Sequence, residues 1–341
     1  FNALEKLCNV LSVKGGGYKS SSSVGTAVNV LLSGDYAKIT AVNNSGSTVY
    51  DKTFRLFGAA EVSTTIAAVE PTLTNGVYSV TEAGNLVWMS QNISKMNGFK
   101  DMTFRLDANV DMKLVPFTPI GGNTAEYVDS GATCNKFMGT FNGNNKTIKN
   151  LYIDLGNTNS YVGLFGYAQG ATIKNLTLAG GSVRGAMYLG ALVGTAENCT
   201  ITGCFNEAEV QSVGTKVGSI AGLATGTTID SSGNFGIVST TCTDSPIVGG
   251  FVGQSYANDV TNNFTNSFNR GHVIVAVGQA ASPSAGHIGG LVAYSGSSRV
   301  NIKNSYNTGA TVSTTAGGNA IGGDEKNAAY LEKYRPRIKM L

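Results

Sequence analysis

The sequence predicts an all-β chain: a right-handed parallel β-helix, built as a three-sheet solenoid, preceded by a small β-sandwich-like N-terminal domain. Three observations carry that prediction. A glycine-rich phrase recurs as YVGLFGY at 161–167, YLGALVG at 188–194, VGSIAG at 217–222, VGGFVG at 248–253 and IGGLVAY at 288–294. Its first glycine falls at Gly163, Gly190, Gly218, Gly249, Gly289 and Gly322, in steps of 27, 28, 31, 40 and 33. An isoleucine near the start of each unit falls at Ile148, Ile173, Ile201 and Ile229, in steps of 25, 28 and 28. Between these landmarks helical spacing is absent. Each unit reads as a TIKNLT-like run, a short run such as GSV, AEV or ATV, and then the glycine phrase. Three short strands per turn, stacked turn on turn, bury one continuous core. The hand follows the rule for parallel crossovers. Leucine-rich repeats have a similar length, but their LxxLxLxxN framework has no copy here.

Taken in order, residues 1–75 read as a separate β-sandwich-like unit. ALEKLCNVL at 3–11 is a short helix or a strand remnant, and GGGYKSSSS at 15–23 breaks the chain. AVNVLL, YAKITAV, VYDKTFRLFG and AEVSTTIAAV follow as alternating runs divided by SGD and NNSGS. Residues 76–146 form a strand-helix-strand lead-in that caps the solenoid. GVYSV is a strand, and TEAGNLVWMSQNIS is a helix with Thr81 at its start and Leu86, Val87 and Met89 on its apolar side. Trp88, the single tryptophan, reads as a packing anchor. Residues 147–323 hold the repeats, and 324–341 form a C-terminal tail or capping helix.

Composition narrows the function classes. Hydrophobic residues make up 42% of the 341, enough for a large core, whereas charged residues are only 13%, about half the usual share. The 45 glycines lack a three-residue period, so they serve turns and close backbone packing. A net charge of +3 gives no nucleic-acid footprint, and the one dense basic stretch, KYRPRIK at 333–339, reads as a solvated end. No apolar stretch is long enough to span a bilayer. The chain begins without a signal segment, which fits an intracellular protein or a mature or truncated piece of an exported one. The five cysteines, at 8, 134, 199, 204 and 242, make no disulfide framework. Alternation along NCTITGCF predicts that Cys199 and Cys204 point to opposite faces, as buried thiols rather than a bridge.

Stacking also predicts columns. Asn206, Asn234, Asn269 and Asn307 match in CFNEA, SGNFG, SFNRG and SYNTG. An asparagine repeated at one corner holds a left-handed turn and hydrogen-bonds to the next coil. Phe205, Phe268 and Tyr306 stand one position earlier, with Gly233 as the gap. As columns, these residues read as structural.

The phrases resemble the GLUG-motif repeats of bacterial, Bacteroidetes-type surface proteins. Gly163, Leu164, Phe165 and Gly166 match the motif, and Gly250, Phe251, Val252 and Gly253 match with phenylalanine for leucine. Ala191 and Ser219 replace the first glycine in two copies, and Ala293 replaces the last in another. FRLDANVDM at 104–112, PFTPIGG at 116–122 and FMGTFNGNNKTIKNL at 137–151 are similar to the lead-in that precedes such repeats. The resemblance covers roughly 76–323. It implies an exported, β-helical, cell-surface or extracellular protein, outer-membrane associated. It implies a non-catalytic adhesion or structural module that binds glycans or host extracellular protein, beside neighbouring domains of a larger protein.

The alternative is a carbohydrate-active β-helix enzyme or a glycan-binding accessory domain. Glycoside hydrolysis needs two carboxylates facing across a cleft. Asp154, Glu197, Glu207, Glu209, Asp230, Asp244 and Asp259 are the acids of the repeat region. Glu207 and Glu209 share a face, with Asp230 one coil later. A solvated pair is the plainer reading. Asp107 and Asp111 raise calcium, but their spacing fits no EF-hand loop. No residue is therefore assigned as catalytic, cofactor-binding or metal-ligating, and no cofactor is expected. NNSGS, GGGYKSSSS and the inserts at 239–247 and 271–287 are the variable surface. HVIVAVGQAASPSAGH at 272–287 is the first candidate for a contact loop.

Overall fold

The computed structural model describes residues 27–42, 47–56, 62–122, 135–157, 161–242, 245–256, 260–275, 286–295 and 299–313. The chain is an all-β solenoid of parallel coils with a small antiparallel N-terminal sheet on its flank.

That sheet comprises β1 (Ala27–Ser33), β2 (Tyr36–Val42) and β3 (Thr48–Arg55), in that spatial order. It grips the solenoid through polar contacts. Ser33 Oγ donates to Asn150 Oδ1 at 2.6 Å and accepts from the Gly181 N–H at 2.8 Å. Lys38 pairs with Asp51 within the sheet and lies 4.4 Å from the Tyr152 ring centre. The expected elements at 3–11 and 15–23, and most of NNSGS, lie outside the described residues. AEVSTTIAAV forms no strand over the residues of it that are described, 62–69.

β4 (Thr72–Thr74) and β5 (Val77–Val80) form a hairpin. Asn75 and Gly76 both take positive φ, 50° and 78°, as a two-residue turn of this hand requires. Helix α1 (Ala83–Asn92) follows. Its N-cap is Glu82 rather than Thr81. Asn85 reaches back and accepts from the backbone N–H groups of both Thr81 and Glu82, at 2.9 and 3.1 Å. That link satisfies donors upstream of the helix and leaves Thr81 outside it. Leu86 and Met89 are buried, and half-buried Trp88 packs on Phe99 and Tyr78 with ring centres 6.0 and 6.4 Å apart.

β5 pairs in parallel with Thr103–Leu106, which opens the stack. From there one core column climbs in register through Phe104, Phe141, Ile173, Ile201, Ile229, Phe264 and Ile302. Ile148 does not belong to it. The segment Thr140–Asp154 carries two extra residues opposite Lys174 to Leu176, so Phe141 meets Ile173 while Ile148 meets Leu178. The glycine column holds from Gly163, beside Gly190, through Gly218 and Gly249 to Gly289, and Gly322 lies outside the described residues.

Three sheets line the solenoid. One runs round the corners of the first two faces. The glycine phrase supplies the other two, because each copy divides into two short strands. Val217–Gly218 and Ala221–Thr225, for instance, belong to different sheets. The break between them holds a small residue followed by a buried apolar one: Ala191-Leu192, Ser219-Ile220, Gly250-Phe251. A Cβ on Gly250 would overlap the Asn269 amide and the Gly290 carbonyl oxygen, and one on Gly290 would overlap Asn307. On these two coils the first position of the motif is glycine because the asparagine column stands against it.

Left-handed corners do occur on successive coils, one column of them at Asn175, Gly203, Ser231, Asn266 and Asn304, with φ between 50° and 63°. Asn206, Asn234, Asn269 and Asn307 are not among the positive-φ residues. Their expected left-handed role is taken by this neighbouring column three residues upstream. Cys199 and Cys204 both face the interior, because the corner at Gly203 resets the alternation between them. Burial pushes their thiols up to about 11 and about 12. Each holds a ladder position: the Cys204 N–H donates to Ser232 Oγ at 3.1 Å, and that of Cys199 to Thr227 Oγ1 at 3.3 Å.

Candidate functional site

The asparagine column is continuous. Asn206 Nδ2 donates to Asn234 Oδ1 at 2.9 Å, Asn234 Nδ2 to Asn269 Oδ1 at 2.7 Å, and Asn269 Nδ2 to Asn307 Oδ1 at 2.8 Å. Each Nδ2 also donates to the carbonyl two residues on, of Ala208, Gly236, Gly271 and Gly309. Asn206, Asn234 and Asn269 are fully buried. Their polar atoms are committed to the fold, so none of the three faces a ligand.

The carboxylates divide. Asp230 accepts from Thr265 Oγ1 at 2.5 Å, Ser231 Oγ at 2.7 Å and Asn266 Nδ2 at 2.7 Å. Those hydrogen bonds, that of Thr265 foremost, hold its carboxyl below the usual aspartate range. Because the folded value is depressed, its contribution is present above the unfolded value and is lost as pH falls through the folded one. Asp230→Asn is expected to destabilise the chain at neutral pH. The gap to wild type should narrow below about pH 4, where aspartates begin to protonate, as urea titrations across pH will show. A pH-independent gap would remove the charged ladder role.

Asp107 accepts from Arg105 Nε at 2.6 Å and from Ser79 Oγ at 2.5 Å. Asp111 accepts from the Lys113 N–H and Asn150 Nδ2, both at 2.9 Å. The two carboxylates serve different neighbours. Among the described residues no group of three His, Cys, Asp or Glu side chains is placed to hold a metal ion. Glu197 accepts from the Tyr167 hydroxyl at 2.6 Å, with Lys136 3.6 Å away. Burial would raise its carboxyl, but the hydrogen bonds from Tyr167 and Gln169 and the nearby Lys136 hold it below the usual range. Asp154 pairs with Arg184 at 3.1 Å. Asp244, Asp259 and residues 276–285 of the expected contact loop lie outside the described residues.

Glu207 and Glu209 are brought together with residues that the sequence reading passed over. The ladder register places Glu207, Phe235, Arg270 and Thr308 in one outward column, on successive coils. Glu209, Ile237, His272 and Ala310 form the next. The column of Phe205, Gly233, Phe268 and Tyr306 borders them. Seen coil by coil, an acidic row (Glu207, Glu209), an apolar row (Phe235, Ile237) and a row of Arg270 with His272, whose Nδ1 accepts from the Ala310 N–H, lie one above another, about 4.8 Å apart. Phe235 is 45% exposed and Ile237 38%.

The rings are held. Phe268 leans into the space over Gly233, where any Cβ would collide with it. Phe235 meets it edge-on at 5.1 Å, and Tyr306 stacks on it at 5.6 Å. The Arg270 guanidinium lies 5.3 Å from the Phe268 ring centre and 5.9 Å from that of Phe235, and donates to the Tyr306 hydroxyl at 3.1 Å. Phe235 was hidden in the sequence because SGNFG carries its aromatic after the asparagine, not before it. Phe268 is half-buried beneath its neighbours, whereas Phe235 stays 45% exposed and Tyr306 44%.

Known proteins resemble parts of this chain. A family model described as the GLUG motif matches residues 185–211, a span one coil long that includes the phrase at 188–194 and Asn206. Halomucin from Haloquadratum walsbyi (strain DSM 16790 / HBSQ001) is 34% identical over 108 residues, which is 30% of this chain and 1% of that protein. The chain thus spans about 1% of the length of the curated relative it matches. A Bacteroides ovatus crystal structure, described provisionally as an immunoglobulin A1 protease, superposes with a TM-score of 0.48 at 19% identity. That superposition covers 73% of this chain and 80% of that one, and it adds nothing to the fold already described.

Proposed function

We propose that the chain is a non-catalytic adhesion or structural module of an exported bacterial cell-surface protein, outer-membrane associated, which binds glycans or host extracellular protein. In this reading residues 1–75 are the N-terminal domain and 76–146 cap the solenoid. Residues 147–323 are the repeats, residues 324–341 a tail or capping helix, and further domains of a larger protein adjoin the module. One observation carries the reading: an exposed apolar row sits between charged rows on a solenoid whose other site-like side chains bond from coil to coil. A rigid body with a protruding, chemically mixed surface suits presentation rather than turnover. Among the described residues no helix is long and apolar enough to cross a membrane.

The test is retention of the purified chain on immobilised mucin, host-matrix and plant glycans. Saturable retention is the expected result. Retention on none of these surfaces removes adhesion and leaves a spacer role. Release of soluble sugar from the support overturns the non-catalytic reading.

A further inference from the structure

We infer that the pad centred on Phe235 is a binding subsite for one neutral pyranose ring. This assignment rests on the adhesion reading and gives it a place and a ligand class. Sites for small polar ligands combine an apolar wall with a few placed polar groups. A pyranose has the matching anatomy, with a patch of C–H groups on one face and hydroxyls round its rim. Phe235, held at 5.1 Å by Phe268 and 45% exposed, supplies the wall. Ile237 extends that wall on the same coil.

Polar groups of opposite kind flank the wall. Glu207, one coil before Phe235, offers only acceptors, and Arg270, one coil after, offers only donors. Hydroxyls both donate and accept, so a neutral sugar satisfies the two rims together. An anionic ligand would face the Glu207 and Glu209 carboxylates, and a cationic one would face Arg270. That two-sided charge pattern selects a neutral, hydroxyl-rich occupant. Arg270 is fixed by the rings and by its bond to Tyr306, so little ordering is needed on binding.

Saturation-transfer NMR and calorimetry with methyl β-galactopyranoside, methyl β-glucopyranoside and cellotetraose test the assignment. Wild type is expected to bind at least one of them, with saturation strongest at the C–H protons of one sugar face. Phe235→Ala is expected to weaken binding about tenfold or more, the equivalent of about 1.4 kcal/mol. Glu207→Gln and Arg270→Gln should each weaken it less. Phe235 and Glu207 are exposed, so both variants should stay folded at the assay temperature, Phe235→Ala melting slightly lower for the lost edge contact with Phe268. Thermal unfolding then separates a binding loss from a folding loss.

Silence toward all three sugars overturns the assignment, and so does a Phe235→Ala variant that binds as wild type does. If the chain is still retained on the glycan and matrix surfaces, only the pad falls and the adhesion reading stands. If retention is also absent, both fall. Phe235-dependent retention on a matrix protein, with no sugar bound, makes the pad a protein contact and overturns the pyranose assignment.

Discussion

Asn234→Ala is expected to lower the unfolding free energy by about 3–4 kcal/mol, the largest loss of any single polar truncation in the solenoid. Asn234 is fully buried and bonds in four directions. It donates to the Gly236 carbonyl and to Asn269, and accepts from Asn206 and the Gly236 N–H. Alanine leaves Asn269 Oδ1 and the Gly236 N–H without a partner in the dry interior, and each orphan costs about 1–3 kcal/mol. Ladder members reinforce one another, so the loss exceeds that of one isolated bond. Asn307 is the internal control. It ends the described column, is exposed, and accepts from Asn269 on one side only. Asn307→Ala should therefore cost about 1 kcal/mol. Urea unfolding of both variants checks the pair, and equal losses would mean that the column is not a buried, cooperative device.

Gly250→Ala is expected to cost about 3 kcal/mol by overpacking, although alanine and serine occupy the equivalent positions at 191 and 219. The obstacle is specific to the coil. At Gly250 an added methyl meets the Asn269 amide on one side and the Gly290 carbonyl oxygen on the other. The amide is held by Asn307 and Gly271, and the carbonyl belongs to the backbone, so neither yields. Gly76→Ala provides the contrast. No atom lies near that site, and its cost is limited to backbone strain at positive φ, about 1 kcal/mol. Calorimetric melting of the two variants tests the comparison. If Gly250→Ala melts no lower than Gly76→Ala, the close approach of phrase and asparagine column is wrong.

The solenoid was legible in the sequence because its signals are translational. Glycine at 190, 218, 249 and 289, and asparagine at 206, 234, 269 and 307, recur at one place on each coil and need no knowledge of side-chain direction. What the sequence hid depends on local geometry. Ile148 kept the period but lost the column, since two extra residues in its strand moved it next to Leu178. Cys199 and Cys204 defied strand alternation because a corner separates them. Glu207 and Glu209 were visible as a pair, but their neighbours were not. Phe235 and Arg270 lie 28 and 63 residues from Glu207 in the chain and join it only through the register of three coils. Asp230 was grouped with the glutamates by distance along the chain, whereas its hydrogen bonds direct it to Thr265 and Asn266.

The two ends of the described stack are unlike. At the first, α1 and the buried rings of Phe99 and Phe104 close the core, whereas in the last coil Ile302 and Tyr306 are each 44% exposed. Translation runs from the α1 end of the described stack toward its Tyr306 end. A nascent chain that folds as it emerges meets its stopper first and then always holds one finished coil against which the next can settle. Each arriving segment needs only to match the rung before it, so the search stays local however many rungs follow. Growth of this kind has a direction. Damage in an early rung therefore withholds the template from every later one, while damage in the last leaves its predecessors intact.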